Sequence, residues 1–222
     1  MIVDTAGSPT DLLEVDDDAD LIEALASHGW GDGLPVVAPT PERVDAMLAG
    51  CNGHDPEEVV ATLPPRFGQA TRLAIAVNAV MAGCLPDHLP VLVSAVRALA
   101  HPDLNLRGVN ATTHCVAPLL VVHGDVARTA GYHGGLGAFG PGSRANATTG
   151  RALRLILLHV AGATPGDGDA STQGGPAKFG FCVAENLEAS PWTGYATSVG
   201  VEAPSAVTIH CGEAPHNVHD ME

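Results

Sequence analysis

Lysine is almost missing from this chain. Lys178 is its single lysine, and ten basic residues in all face 25 acidic ones across 222 residues, for a formal net charge of −15. That deficit argues against nucleic acid or an anionic membrane surface as a general partner, so any anion has to be caught locally. The cysteines lack a pattern. Cys51, Cys84, Cys115, Cys182 and Cys211 are odd in number and without CxxC spacing, which implies neither a disulfide framework nor a zinc ribbon. Long apolar runs are absent too: 74–82 and 116–122 are far too short to span a bilayer. The opening MIVDTAGSPTDLLEVDDDAD has no basic n-region and no apolar stretch, so it does not read as a secretory signal. A cytoplasmic protein with reduced thiols and no membrane partner is expected.

The chain does have enough apolar material, 45% of residues, to bury one substantial core. Acidic residues crowd positions 11–20, and a solvated lead-in over 1–20 is expected ahead of a single globular domain over 21–222. DADLIEALASHGW has helical spacing and breaks at GDG. Thr40 and Pro41 form a cap and first turn for a helix over PERVDAMLAG, with Gly50 as its stop. EEVVATL reads as a strand, LPPRFGQ as a connection, and TRLAIAVNAVMAGC and DHLPVLVSAVRALA as a helical hairpin. VAPLLVVHG suits a buried strand; a helix over 145–160 follows, then strands over KFGFCVAEN and SAVTIHC. The fold class is α/β or α+β, with a helical N-terminal third and a mixed sheet in the C-terminal half. The apolar content also allows a homo-oligomer.

The candidate binding site is the junction of GYHGGLGAFGPGSRANATTG, seven glycines in twenty residues, with the helix behind it. Glycines allow close approach to the main chain, and a helix start favours an anion. Gly140, Gly142, Ser143, Arg144, Asn146 and Thr148 are its expected substrate-binding residues. Asn146, Thr148 and Thr149 are candidate caps, and Arg144 and Arg151 add positive charge. The spacing fits neither a dinucleotide fingerprint nor a P-loop. The competing reading is a surface loop.

Three further groups carry chemistry. His114 precedes Cys115 at the presumed start of a strand. His210, Cys211, Glu213, His216, His219 and Asp220 crowd eleven residues, a density that suits zinc or ferrous iron, with His210, His216 and His219 as ligands. Lys178 and Cys182, four apart, would face one side of a strand, where the ammonium would favour a thiolate. Lys178 also joins the substrate-binding set, and Glu185 is a proton acceptor beyond it. Asp32, between two glycines, reads either as an Asx turn or as a loop carboxylate closing over a ligand.

The series GWGDGLPVVAPTPERVDAML, PPRFGQAT, NAVMAGC, ATTHC, FGPGSRANATTGRALRL, FCVAENLEASPW and GEAPHNVHD resembles a bacterial family whose domain occurs beside or fused to a UGSC-motif selenoprotein-like domain. The resemblance implies a partner with thiol or selenol redox chemistry; the UGSC motif itself is not in this chain. Asp32, His114, Arg144, Asn146, Cys182, Glu185, His216 and Asn217 match its motifs, and no reaction comes with them. The function expected is an enzyme, or the substrate-binding subunit of a two-component enzyme, for a small carboxylate or phosphate metabolite. Cys182, His114, Glu185 and Asp32 would be catalytic, by thiol-redox or metal-assisted chemistry. The alternative is a non-catalytic partner of a thiol-redox enzyme.

Overall fold

The computed structural model describes residues 2–3, 12–13, 18–51 and 53–215. The expected acidic lead-in therefore lies mostly outside the described residues, as do His216, Asn217, His219 and Asp220. Strands β1 (Ile2–Val3) and β2 (Leu12–Leu13) pair antiparallel. Helix α1 (Asp18–Ser27) buries Leu21 and Leu25 against Trp30, Val36 and Ala38, a small cluster apart from the main core. Helix α2 (Pro41–Leu48) starts as the sequence predicts, with the Thr40 hydroxyl accepting from Arg43 N and Pro41 in the first turn. It ends in a tighter 3-10 turn over Ala49–Cys51, which contains Gly50.

β3 (Val59–Leu63) and β4 (Gly68–Thr71) form an antiparallel hairpin, so the proline-marked connection is a hairpin turn. Thr71 caps α3 (Arg72–Ala82), and Gly83 closes it in the left-handed region at φ 88°, a conformation that glycine supplies without strain. α3 is apolar nearly all round, and such a helix is stable only when enclosed. Accordingly α2, α4 (Leu89–Leu99) and α7 (Arg144–His159) all pack on it. Its one interior amide, Asn78, donates back to Ala74 O at 2.8 Å.

Short helix α5 (Leu106–Ala111) leads to β5 (Ala117–Gly124), followed by α6 (Asp125–Thr129) and α7. The small pair β6 (Thr164–Pro165) and β7 (Gly168–Asp169) precedes β8 (Cys182–Ala184), α8 (Tyr195–Ser198) and β9 (Ser205–Gly212). The sheet order is β8-β5-β9. β8 runs parallel to β5, with Leu120 beside Cys182; β9 runs antiparallel, with Leu120 beside Ile209. α7 is thus the crossover of a parallel strand pair, and the sheet is mixed, an α/β-type arrangement.

Alternation along β5 sorts the two faces. Leu120 and Val122 are wholly buried against the helices, while Leu119 and Val121 on the other face are half-buried. No helix among the described residues is long and apolar enough to cross a membrane.

Candidate functional site

α7 begins at Arg144, and Ser143 is its cap, its hydroxyl accepting from Asn146 N at 3.2 Å. Asn146, Thr148 and Thr149 do not cap it, because all three already lie in the helix. Asn146 is buried and staples the glycine loop instead. Its carbonyl oxygen accepts from His133 N at 3.0 Å, and its amide donates to His133 O and Ala138 O at 2.8 and 3.1 Å. Thr148 donates to Arg144 O, and the buried Thr149 hydroxyl meets the Tyr132 phenol at 2.9 Å. Arg144 turns away from the loop: Nε and Nη2 donate to Gly83 O at 3.0 and 2.8 Å, a cation on the carbonyl end of α3.

Helical spacing places Arg144, Ala147, Arg151, Arg154 and Leu158 on the stripe of α7 that faces away from the core. Two clefts of about 490 Å³ each open along that stripe. The first is largely apolar, lined by Phe139, Gly140, Asn146, Phe179 and Phe181 with Arg151 as its cation. The second holds Asp32, Arg154, Asp169, Lys178 and the 171–175 loop. Phe179 borders both.

Between them, Arg151 Nε and Nη2 donate to Asp32 Oδ2 and Oδ1 at 2.7 and 2.8 Å. Asp32 also makes the Asx bond, accepting from Leu34 N at 3.1 Å. Burial would raise its pKa, but the Arg151 guanidinium and the Leu34 N–H outweigh burial and hold it below the ordinary carboxylate range. The same loop is fixed a second time. Gly31 N donates to His159 Nε2 at 2.9 Å, so the His159 proton sits on Nδ1 and is donated to Asn78 Oδ1 at 2.6 Å.

Asp169, 3% exposed, accepts from Lys178 Nζ at 2.8 and 3.0 Å and from Arg154 Nη2 at 3.0 Å. Burial pushes its pKa up; Lys178, the Ser171 N–H and Arg154 more than reverse that. Lys178 stands in a 3-10 turn over Pro176–Lys178 and is not on β8. The expected ammonium–thiolate pair is therefore corrected: Lys178 is committed to Asp169, and Cys182 is buried in the core beside Leu120, where burial pushes its thiol pKa up. Burial likewise raises neighbouring Cys84 to about 11.

His114 is exposed, and its ring meets Glu213 at 3.0 Å. His210 is exposed on β9. Among the described residues, no three of His, Cys, Asp and Glu are grouped so as to hold a metal ion, and the other two expected ligands, His216 and His219, lie outside those residues.

Glu185 belongs to a different group. Its Oε2 meets His123 Nδ1 at 2.7 Å, and its Oε1 accepts from Tyr195 N at 2.6 Å. Burial raises the Glu185 pKa, but those two partners lower it overall. His123 Nε2 meets the Thr208 hydroxyl at 2.9 Å. His123, Thr208, Arg154 and Asp169 escape a reading by motif. The only sequence signal is a histidine ending an apolar strand and a second arginine one helical turn after Arg151.

Compared with protein-family models, with curated proteins and with solved structures, the chain matches none.

Proposed function

We propose that this chain binds a small anionic metabolite, a carboxylate or a phosphate, in the cleft where Lys178 and Arg154 meet Asp169. One observation carries the reading. Arg151, Arg154 and Lys178 face only two carboxylates, Asp32 and Asp169, so the two adjoining clefts taken together carry one positive charge in excess in a chain whose formal charge is −15. The adjoining apolar cleft would take the rest of the metabolite. The chain then serves as the substrate-binding subunit of a two-component enzyme, with redox chemistry on a UGSC-type partner. The burial of Cys182 favours that division, since an enclosed thiol is a poor nucleophile.

Calorimetric titration of untagged protein with inorganic phosphate and with malonate tests this. Binding should weaken with added salt and fall about tenfold or more in Lys178→Gln. Absence of binding by both anions, or an unchanged affinity in Lys178→Gln, removes the reading. A metal held by His210 with His216 and His219 is tested separately, by metal analysis of untagged wild type and His216→Ala.

A second reading, a non-catalytic partner protein, is favoured by Leu136, which is 100% exposed at the tip of the glycine loop, with Phe139 and Phe179 each about half exposed. It predicts that the protein co-elutes with a UGSC-type protein and that Leu136→Asp abolishes co-elution while leaving anion binding intact.

A further inference from the structure

His123 near the end of β5, Thr208 in the middle of β9 and Glu185 just past β8 meet on the face of the sheet opposite Leu120 and Val122. Thr208 lies beside Val121, and His123 is two residues further along β5. Both side chains therefore share one face, at the diagonal spacing of an antiparallel pair. No residue of this group lines either cleft, so the inference does not rest on the anion reading.

The hydrogen bonds fix the protons. A carboxylate only accepts, so Nδ1 of His123 carries the hydrogen and donates it to Glu185. Nε2 is then left with a lone pair, and it accepts from the Thr208 hydroxyl. Glu185 is itself held by Tyr195 N at 2.6 Å, which leaves the ring little freedom to turn. His123 is 3% exposed while Thr208 is half-buried: the base is shielded, and the residue that bears the hydroxyl is less so. Two large apolar side chains of the segment joining β8 to β9, Trp192 and Tyr195, are 79% and 52% exposed. The Tyr195 ring lies 6.1 Å from that of His123.

We infer that this group is a nucleophilic site in which Thr208 is acylated by carboxylic esters bearing an apolar acyl group. The Thr208 oxygen bonds to the ester carbonyl carbon as its proton passes to His123 Nε2. The bond from that carbon to the alcohol oxygen then breaks, and His123 returns the proton to the departing alcohol. Water repeats the sequence on the acyl-threonine, giving the carboxylic acid and free Thr208. No oxidant or reductant is required. His123 and Thr208 are the catalytic residues; Glu185 is a positioning residue that fixes the ring.

The test is incubation of the full chain with p-nitrophenyl butyrate, followed by peptide mass spectrometry. A butyryl group on Thr208 and release of p-nitrophenolate are expected. Thr208→Val, which keeps the shape and loses the hydroxyl, should carry no label, whereas Thr208→Ser should keep it. His123→Gln should slow acylation by about 10²- to 10⁴-fold. Glu185→Gln should slow it, and Glu185→Asp, which keeps a carboxylate for the ring to donate to, should restore part of the rate; a purely structural role would leave the labelling rate of the folded variants unchanged. Folded wild type without label on Thr208 overturns the inference. So does labelling at Thr208 that folded His123→Gln leaves at the wild-type rate.

Discussion

Arg151 grips Asp32 through two parallel hydrogen bonds of 2.7 and 2.8 Å, closing a contact across 119 residues between the GDG loop and the middle of α7. Both side chains are largely enclosed, at 15% and 4% exposure. Removing one partner strands the other's charge. Arg151→Ala should therefore cost about 3 kcal/mol or more in urea unfolding, while the double variant with Asp32→Asn recovers part of that loss. A single-variant cost below about 0.5 kcal/mol would mean that water reaches the carboxylate freely.

The same loop makes stability depend on pH. His159 must stay unprotonated on Nε2 to accept from Gly31 N, and burial lowers its pKa to about 4, against about 6.5 in the unfolded chain. Between those values the unfolded chain binds the extra proton. The contribution is complete above pH 6.5 and is lost as pH falls toward 4, by about 3 kcal/mol. Asp32 and Asp169, both lowered, add further loss below their unfolded values. Chemical denaturation from pH 7 to 4 should show this slope, and His159→Gln should flatten its upper part.

A glycine inside α7 would ordinarily gain about 1 kcal/mol on replacement by alanine. Gly150 should do the reverse. A methyl group there would meet Phe181 N at 2.7 Å and the Cys182 side chain at 3.2 Å, prising α7 from the start of β8. Gly150→Ala should cost about 1–3 kcal/mol by the penalty for overpacking, read as a lowered midpoint in thermal unfolding; an unchanged or raised midpoint contradicts the close approach.

Asn146 holds three main-chain groups of the glycine loop. Asn146→Ala leaves them unpaired, at about 1–3 kcal/mol, and should accelerate hydrogen exchange across 131–143 while α3 stays protected. Uniform acceleration across the whole chain would show that Asn146 supports the core and not the loop.

Thiol labelling should spare the two core cysteines. Cys182 and Cys84 are enclosed, with thiol pKa values raised by burial, so a disulfide reagent should reach them only through unfolding, at a rate that rises with urea. Half-buried Cys51, Cys115 and Cys211 should react first. Rapid modification of Cys182 in native buffer would restore it as a nucleophile.

Local chemistry was legible wherever neighbours along the chain decide the conformation. Thr40 with Pro41, and the even apolar run of β5, announce themselves, and α7 lies within a residue of its expected bounds. The strand expected over 178–186 shrank to three residues, because pairing with β5 begins only at Cys182 and Lys178 is drawn into a turn by Asp169. α5, α6 and α8 are six residues or fewer, too short to show a helical period.

By itself, then, the sequence determined the longer elements, the large aliphatic core and the acidic balance, since propensity, periodicity and charge act over a few residues or over the whole composition. The partners of each charged side chain were decided only by tertiary structure. Arg151 took Asp32, Lys178 took Asp169, and His123 found Glu185 and Thr208 across 62 and 85 residues. Those pairings depend on which strand lies beside β5 and how α7 crosses it, and long-range contacts of that kind leave no local pattern in the chain.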